Sequence, residues 1–234
     1  LGSKRINTAI DLCDLDLNYI KETDEGIEIG AMTTFRDLEK NQILKEYFGN
    51  LLANALKGIL GLQFRNYVTV GASVYSKYGF SDLITALLAL DCTLVLYKNG
   101  EIKLEDYLNT KLGERDILTK IVLKKEKTST SYQTIRKSTS GYPTLSVAVA
   151  KNKDGFKISV GARPMVAALA QEAADFLNTN SNIDEDTALK AGEICSESLK
   201  FGTNYLGTEE YRKDICKVLE GDIPQHPAVH VQFW

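Results

Sequence analysis

The residues best suited to chemistry lie in Thr69-Val70-Gly71-Ala72-Ser73, with Asp82 nine residues beyond Ser73. A pyrophosphate needs several backbone N–H donors in a tight concave turn, and side chains small enough to let it approach. Gly71 and Ala72 supply that access, and Thr69, Ser73 and Ser76 supply hydroxyls. Asp82, near the start of the following helix, suits a ribose hydroxyl or a role in holding the loop. The same residues suit a strand-to-helix turn with capping side chains, and spacing alone leaves both readings open.

Other reactive groups are sparse. The histidines, His226 and His230, lie near the C-terminus, which leaves none for a triad in the body of the chain. Their i,i+4 spacing would suit a metal on a helix, but Pro224 and Pro227 argue against a regular helix there. Cys13, Cys92, Cys195 and Cys216 are dispersed with no CxxC pair, so no structural metal is expected. Cys92, after an apolar run, reads as a small buried hydrophobe. Scattered cysteines without a signal peptide suggest reduced thiols in a cytoplasmic protein. If the chain is an enzyme, a bound cofactor must carry the chemistry.

Several elements must position the Thr69–Asp82 region. Asn7–Leu12 has strand character, Asp14–Ile20 alternates with period two, and Ile27-Glu28-Ile29 follows a turn at Asp24-Glu25-Gly26. Thr33 or Thr34 can cap a helix from Phe35 to about Lys40. A second helical stretch is expected from about Ile43 to Leu60, its apolar stripe being Leu51, Leu52, Ala55, Leu56 and Ile59. Ser81–Leu90 reads as a buried helix with Ser81 as N-cap. Asp91–Tyr97 and Glu101–Leu104 flank Lys98-Asn99-Gly100 as a hairpin, a short helix or loop opens at Glu105–Leu108, and Asp116–Leu123 is a further strand.

Lys124–Ser131 is basic and rich in hydroxyls, and marks a boundary near residue 128. Beyond it, Leu145–Ala150 and Phe156–Val160 form a hairpin around Asn152–Gly155. Helices are expected over Pro164–Leu177, Thr187–Leu199 and Tyr211–Leu219, with an irregular tail from Pro224 to Trp234. Mixed strand and helix order with hairpins favours an α+β protein in two parts.

The 234 residues allow one or two domains, and 44% apolar with 25% charged residues is an ordinary globular mix. A net charge of −3 gives no general attraction to nucleic acid or anionic lipid. The longest apolar stretches, such as Leu83–Leu90, fall far short of the roughly 20 residues that span a bilayer. The chain begins Leu1-Gly2-Ser3-Lys4, and reads as one that starts after its first element.

Phe64-Arg65-Asn66-Tyr67-Val68-Thr69-Val70-Gly71-Ala72-Ser73-Val74, then Ser81-Asp82-Leu83 and Leu87-Leu88-Ala89-Leu90-Asp91-Cys92, resemble a known family. It is the FAD-binding medium subunit, or middle domain, of the molybdenum hydroxylases, such as xanthine dehydrogenase and carbon monoxide dehydrogenase. Its pattern is R-N-x-A-T-I-G-G-N/D-I, a spacer, S-D-L and a run ending L-A-L-D-A. Ile10-Asp11-Leu12 and Ile29-Gly30-Ala31-Met32-Thr33-Thr34 resemble its I-D-L and I-G-A-x-T-T elements. Ser146-Val147-Ala148 and Gly207-Thr208-Glu209-Glu210-Tyr211-Arg212 resemble its later s-V-A and r-G-S-x-x-Y-R. The similarity runs through nearly the whole chain in the family's order.

The resemblance implies an FAD-binding α/β subdomain over 1–124 and a smaller domain over 129–223, an antiparallel sheet packed on helices. FAD would lie between them. Thr69, Val70, Gly71, Ala72, Ser73 and Asp82 would contact it, and Leu118 would sit beside the isoalloxazine through its backbone. In such complexes a large subunit holds a molybdenum–pterin centre and a small subunit holds 2Fe–2S clusters; the flavin subunit passes electrons to NAD or another acceptor. Three differences stand out. The family's A-G-G-T/S loop is absent, Ala72 replaces the second glycine, and a lysine of many relatives falls around Thr134, with Arg136 or Lys137 nearby. A methyl at Ala72 is tolerated at negative φ and strained at positive φ.

Two further features stay open on the sequence. Tyr75, Tyr78 and Phe80 suit shielding a flavin or packing against core or partner. Arg136, Lys137, Lys151 and Lys153 suit a basic rim for an acceptor cofactor or ordinary solvated charges. Beside the electron-transfer reading stand a structural subunit of the same fold with a degraded flavin site, and a self-contained flavin oxidase or dehydrogenase.

Overall fold

A computed structural model describes residues 8–111, 115–180 and 182–219. Its first strands, β1 (Ile20–Glu22) and β2 (Ile27–Gly30), form an antiparallel hairpin. The segment before them is irregular. Leu17 and Tyr19 give their carbonyls to the amides of Met32 and Gly30, both at 2.9 Å, and Asp16 is left-handed (φ 51°). Period-two alternation there has no neighbouring strand to extend along, so the strand expected over Asp14–Ile20 forms only at Ile20. Residues 8–12, also read as strand, carry none.

Helix α1 (Phe35–Lys40) starts at Thr34, whose hydroxyl accepts from Asp37 N while Asp37 reaches back to Thr34 N, a reciprocal cap. The single helix expected over 43–60 is two: α2 (Gln42–Phe48) and α3 (Leu51–Lys57). Gly49, at φ 56°, takes a left-handed backbone that redirects the chain between them. The apolar stripe survives the break, since Leu51, Leu52, Ala55 and Leu56 are all buried on α3. Short helices α4 (Leu62–Arg65), α5 (Val70–Tyr75) and α6 (Asp82–Leu88) follow. Every residue of α6 is buried, and Ser81 caps it by accepting from Ile84 N.

Strands β3 (Cys92–Leu96) and β4 (Gly100–Lys103) form the expected hairpin, α7 (Leu104–Asn109) follows, and β5 (Leu118–Leu123) completes the first sheet. Its order is β1-β2-β5-β3-β4, with every pair antiparallel. A second antiparallel sheet has the order β6 (Ser129–Arg136), β7 (Pro143–Asn152), β8 (Gly155–Gly161), β9 (Ala168–Leu169). Helices α8 (Gln171–Thr179), α9 (Glu185–Ser198) and α10 (Glu209–Leu219) close the described fold.

β6 carries no apolar alternation in Ser129–Arg136 and gave no strand signal, yet it pairs with β7 along its whole length. The helix expected from Pro164 begins only at Gln171. Ala168 and Leu169 are captured by the edge of β8, pairing with Val160 and Ser159, and edge pairing overrides alanine's helix preference.

The second sheet is a middle layer. Leu145, Val147 and Val149 face α8–α10, while Ala148, Ala150 and Tyr132 join the core of the first half. Burial on both faces explains why Leu145–Ala150 reads as a nearly unbroken run of small apolar residues. Helix α6 packs on β7 and β8, and α3 on β6, which brings Asp82 against the second sheet.

Candidate functional site

The Thr69–Ser73 segment is the capped first turn of α5. Thr69 Oγ1 accepts from Ala72 N at 3.3 Å. Val70 N donates to Thr33 O at 2.9 Å, Gly71 N to Ala31 O at 2.8 Å, and Ala31 N to Thr119 O at 2.9 Å. This relay ties α5 to the turn after β2 and on to β5. Gly71 is demanded by it: a Cβ there would lie 2.8 Å from Ala31 O and Ala31 Cβ. Its missing side chain therefore admits a neighbouring backbone. Ala72 is exposed within the right-handed turn, so its methyl is unstrained.

The outward edge of this turn meets α6. Ser73 Oγ lies 3.1 Å from Ser81 Oγ, which also accepts from Ile84 N at 3.2 Å. Ser73, the fourth residue of α5, thus meets Ser81, the N-cap of α6. Ser76 is not part of this contact, because its hydroxyl donates to Ala72 O at 2.6 Å. Leu118 is buried at the start of β5, one residue before Thr119 of the relay.

Asp82 turns the other way. It is 3% exposed, and its carboxylate accepts from Tyr132 Oη at 2.5 Å, Arg136 Nη2 at 2.6 Å and Ser146 Oγ at 3.1 Å. Of the two roles read for it, the structure shows the carboxylate holding protein groups. Burial, with Asp82 beside it, pushes the Tyr132 hydroxyl well above its ordinary pKa, so it stays a donor. Thr134 donates to Leu145 O at 3.1 Å and Lys137 to Tyr205 O at 2.8 Å.

Tyr75 is structural: its hydroxyl accepts from Asp116 N at 3.0 Å and its carbonyl from Tyr107 Oη at 3.1 Å. Tyr78 and Phe80 are exposed and stacked, with centroids 5.0 Å apart. Tyr142, which sequence reasoning missed, meets Phe80 at 4.5 Å from the turn between β6 and β7. Arg136 holds that turn by donating to Gly141 O at 2.6 Å. The four basic residues do not make one rim, since Lys151 pairs in register with Ser129 at the end of β7 opposite Arg136. Lys151 lies over Phe156, and Lys153 is near Glu126.

Residues 1–123 match the model of a family described as the FAD binding domain in molybdopterin dehydrogenase. The chain belongs to this family. Its relatives include the glyceraldehyde dehydrogenase medium chain of Sulfolobus acidocaldarius, 26% identical over 220 residues, covering 87% of this chain and 76% of that one. The nicotinate dehydrogenase FAD-subunit of Eubacterium barkeri is 26% identical over 128 residues, 50% of this chain and 43% of that one. In fold it is similar to carbon monoxide dehydrogenase from Hydrogenophaga pseudoflava, with a TM-score of 0.81 at 22% identity, covering 89% of this chain and 77% of that one. As a member of this family the chain is an oxidoreductase component whose cofactor is FAD. The paired hydroxyls of Ser73 and Ser81 are donors of the kind that phosphates accept from. Among the described residues no cluster of His, Cys, Asp and Glu could hold a metal, and no helix could cross a membrane. His226 and His230 and the tail from Pro224 lie outside the described residues.

Proposed function

We propose that this chain is the flavin-carrying, electron-transfer subunit of a multi-subunit molybdenum hydroxylase. The observation that carries the reading is the family match across residues 1–123, within which the Ser73 hydroxyl of α5 meets Ser81, the N-cap of α6. Thr69, Ala72 and Ser73 would hold the pyrophosphate on the outward edge of α5. Val70 and Gly71 would keep that turn in place through the relay to Ala31 and Thr33, and Leu118 would present its backbone from the neighbouring strand. Bound FAD supplies the redox chemistry, so no side chain of this chain needs to act as general acid or base. The partners in this reading are a molybdenum-binding large subunit and an iron–sulfur small subunit in the cytoplasm, with NAD or another acceptor taking the electrons.

The visible spectrum of the purified chain, with the released cofactor identified chromatographically, tests the first half of this reading. Stoichiometric FAD that is lost in Ser73→Ala supports it. A protein that stays colourless with added FAD supports instead a structural subunit, the reading favoured by Asp82 being occupied within the protein. Copurification with the two partner subunits separates an electron-transfer subunit from a self-contained flavoenzyme.

A further inference from the structure

A cavity of about 380 Å³ opens between the end of β6, the start of β7 and the turn entering α10. None of Thr69–Ser73 lines it. Ile135, Leu206 and Tyr211 give it apolar walls, and Lys137, Thr144 and Thr208 give it polar atoms, with no Asp or Glu in the lining. Its size suits a small organic molecule.

The electrostatics of its wall are unusual. Arg212 is fully buried, and it donates to Thr144 O at 2.9 Å, to Gly202 O and Asn204 Oδ1 at 2.6 Å, and to Gly207 O. All four acceptors are neutral. Thr144 and Gly207 also line the cavity, so this cation, which has no carboxylate partner among the described residues, stands directly behind the wall. Its charge lies one hydrogen bond behind that wall, where it is screened less than in bulk water. Glu209, on the first turn of α10, is paired with Lys213 at 2.7 Å, Asp82 with Arg136 at 2.6 Å, and Glu210 is exposed.

Three residues with side-chain donors line the cavity. Lys137 is anchored by Tyr205 O, has no carboxylate partner among the described residues, and keeps further N–H groups to donate. Thr208 accepts from Tyr211 N at 3.2 Å, and its own proton has no acceptor among the described residues. Thr144 is 1% exposed and lines the cavity at the start of β7.

We propose that this cavity binds a small phosphate monoester carrying a planar ring. The ring lies against Ile135, Leu206 and Tyr211; the phosphate accepts from Lys137, Thr144 and Thr208 over the positive field of Arg212. This site is separate from the FAD-contacting turn and does not rest on the electron-transfer reading.

Phenyl phosphate is the probe, titrated calorimetrically into the full chain with and without saturating FAD, beside phenol and inorganic phosphate. Phenyl phosphate is expected to bind at least about tenfold more tightly than either control under both conditions. Lys137→Glu, an exposed change checked for folding by circular dichroism, should weaken it about tenfold or more, and Thr144→Val should weaken it too, while Ser73→Ala leaves it unchanged. Binding that FAD displaces and Ser73→Ala removes would place the phosphate between α5 and α6 and overturn the proposal. So would no binding, binding indifferent to Lys137→Glu, or phenol binding as tightly as its phosphate.

Discussion

Asp82 and Arg136 meet at 2.6 Å with side chains only 4% and 10% exposed, and each secures a different element. Asp82 opens α6, and Arg136 also grips the turn that carries Tyr142. Asp82→Asn leaves the guanidinium buried without its counter-charge, which costs on the order of 3–5 kcal/mol in such pairs. We expect that loss in denaturant unfolding of the chain without FAD. A side chain serving only the cofactor would leave that stability unchanged and weaken only FAD binding. Tyr132→Phe removes one donor from the same carboxylate and should cost less, about 1–3 kcal/mol. The sequence marks Asp82 as special, but its partners stand 50, 54 and 64 residues away, and no local pattern announces them. The thiols give a second check at this scale. Cys13 is exposed, while burial pushes the Cys92 thiol up to about 12. A disulfide reagent near pH 8 should modify Cys13 in the native chain and reach Cys92 only after unfolding.

Local hydrogen bonding decided which elements were legible. Thr34 and Ser81 start their helices through side-chain bonds three residues long, so the sequence carries the whole cause. β6 and β9 exist because β7 and β8 offer them edges, a cause lying elsewhere in the chain. The turn between β3 and β4 depends on a distant residue in the same way. Asp116 loses solvation there, yet accepts from the amides of Lys98, Ile117 and Asn99 and from the Asn99 side chain, which hold it at about 2 against an ordinary 3.8. A lowered folded value stabilises above the unfolded one, so this contribution is complete above about pH 4 and fades as pH falls through about 2. An NMR titration of Asp116 should show that midpoint, and Asp116→Asn should raise amide exchange at Lys98 and Asn99. In α5, Gly71→Ala would press a methyl onto Ala31 and should cost about 1–3 kcal/mol by overpacking, measured as a lower denaturation midpoint.

At the scale of the whole molecule, the second sheet belongs to two cores at once. Its Tyr132, Ala148 and Ala150 complete the core of the first half, while Leu145, Val147 and Val149 complete the core under α8–α10. Polar bonds reinforce the seam along its length: Ser159 Oγ donates to Thr85 O at 2.6 Å, Thr130 Oγ1 to Phe48 O at 2.8 Å, and Lys157 pairs with Asp91 at 2.6 Å. Neither half can lose this sheet without opening its own core, so the change of sheet between β5 and β6 is not expected to be a thermodynamic break. Calorimetry should therefore give one transition, with calorimetric and van't Hoff enthalpies equal. Two separated transitions would show that the seam is only an interface. FAD supplies the complementary test, because a ligand that binds only the folded chain stabilises it by about 2.7 kcal/mol at a hundred times its Kd. Since α5, which would bear the phosphates, and α6, which grips the second sheet, meet at Ser73 and Ser81, that gain should raise the single transition as a whole. An FAD-dependent shift confined to part of the heat-capacity peak would mean that the turn of α5 is held by the first half alone.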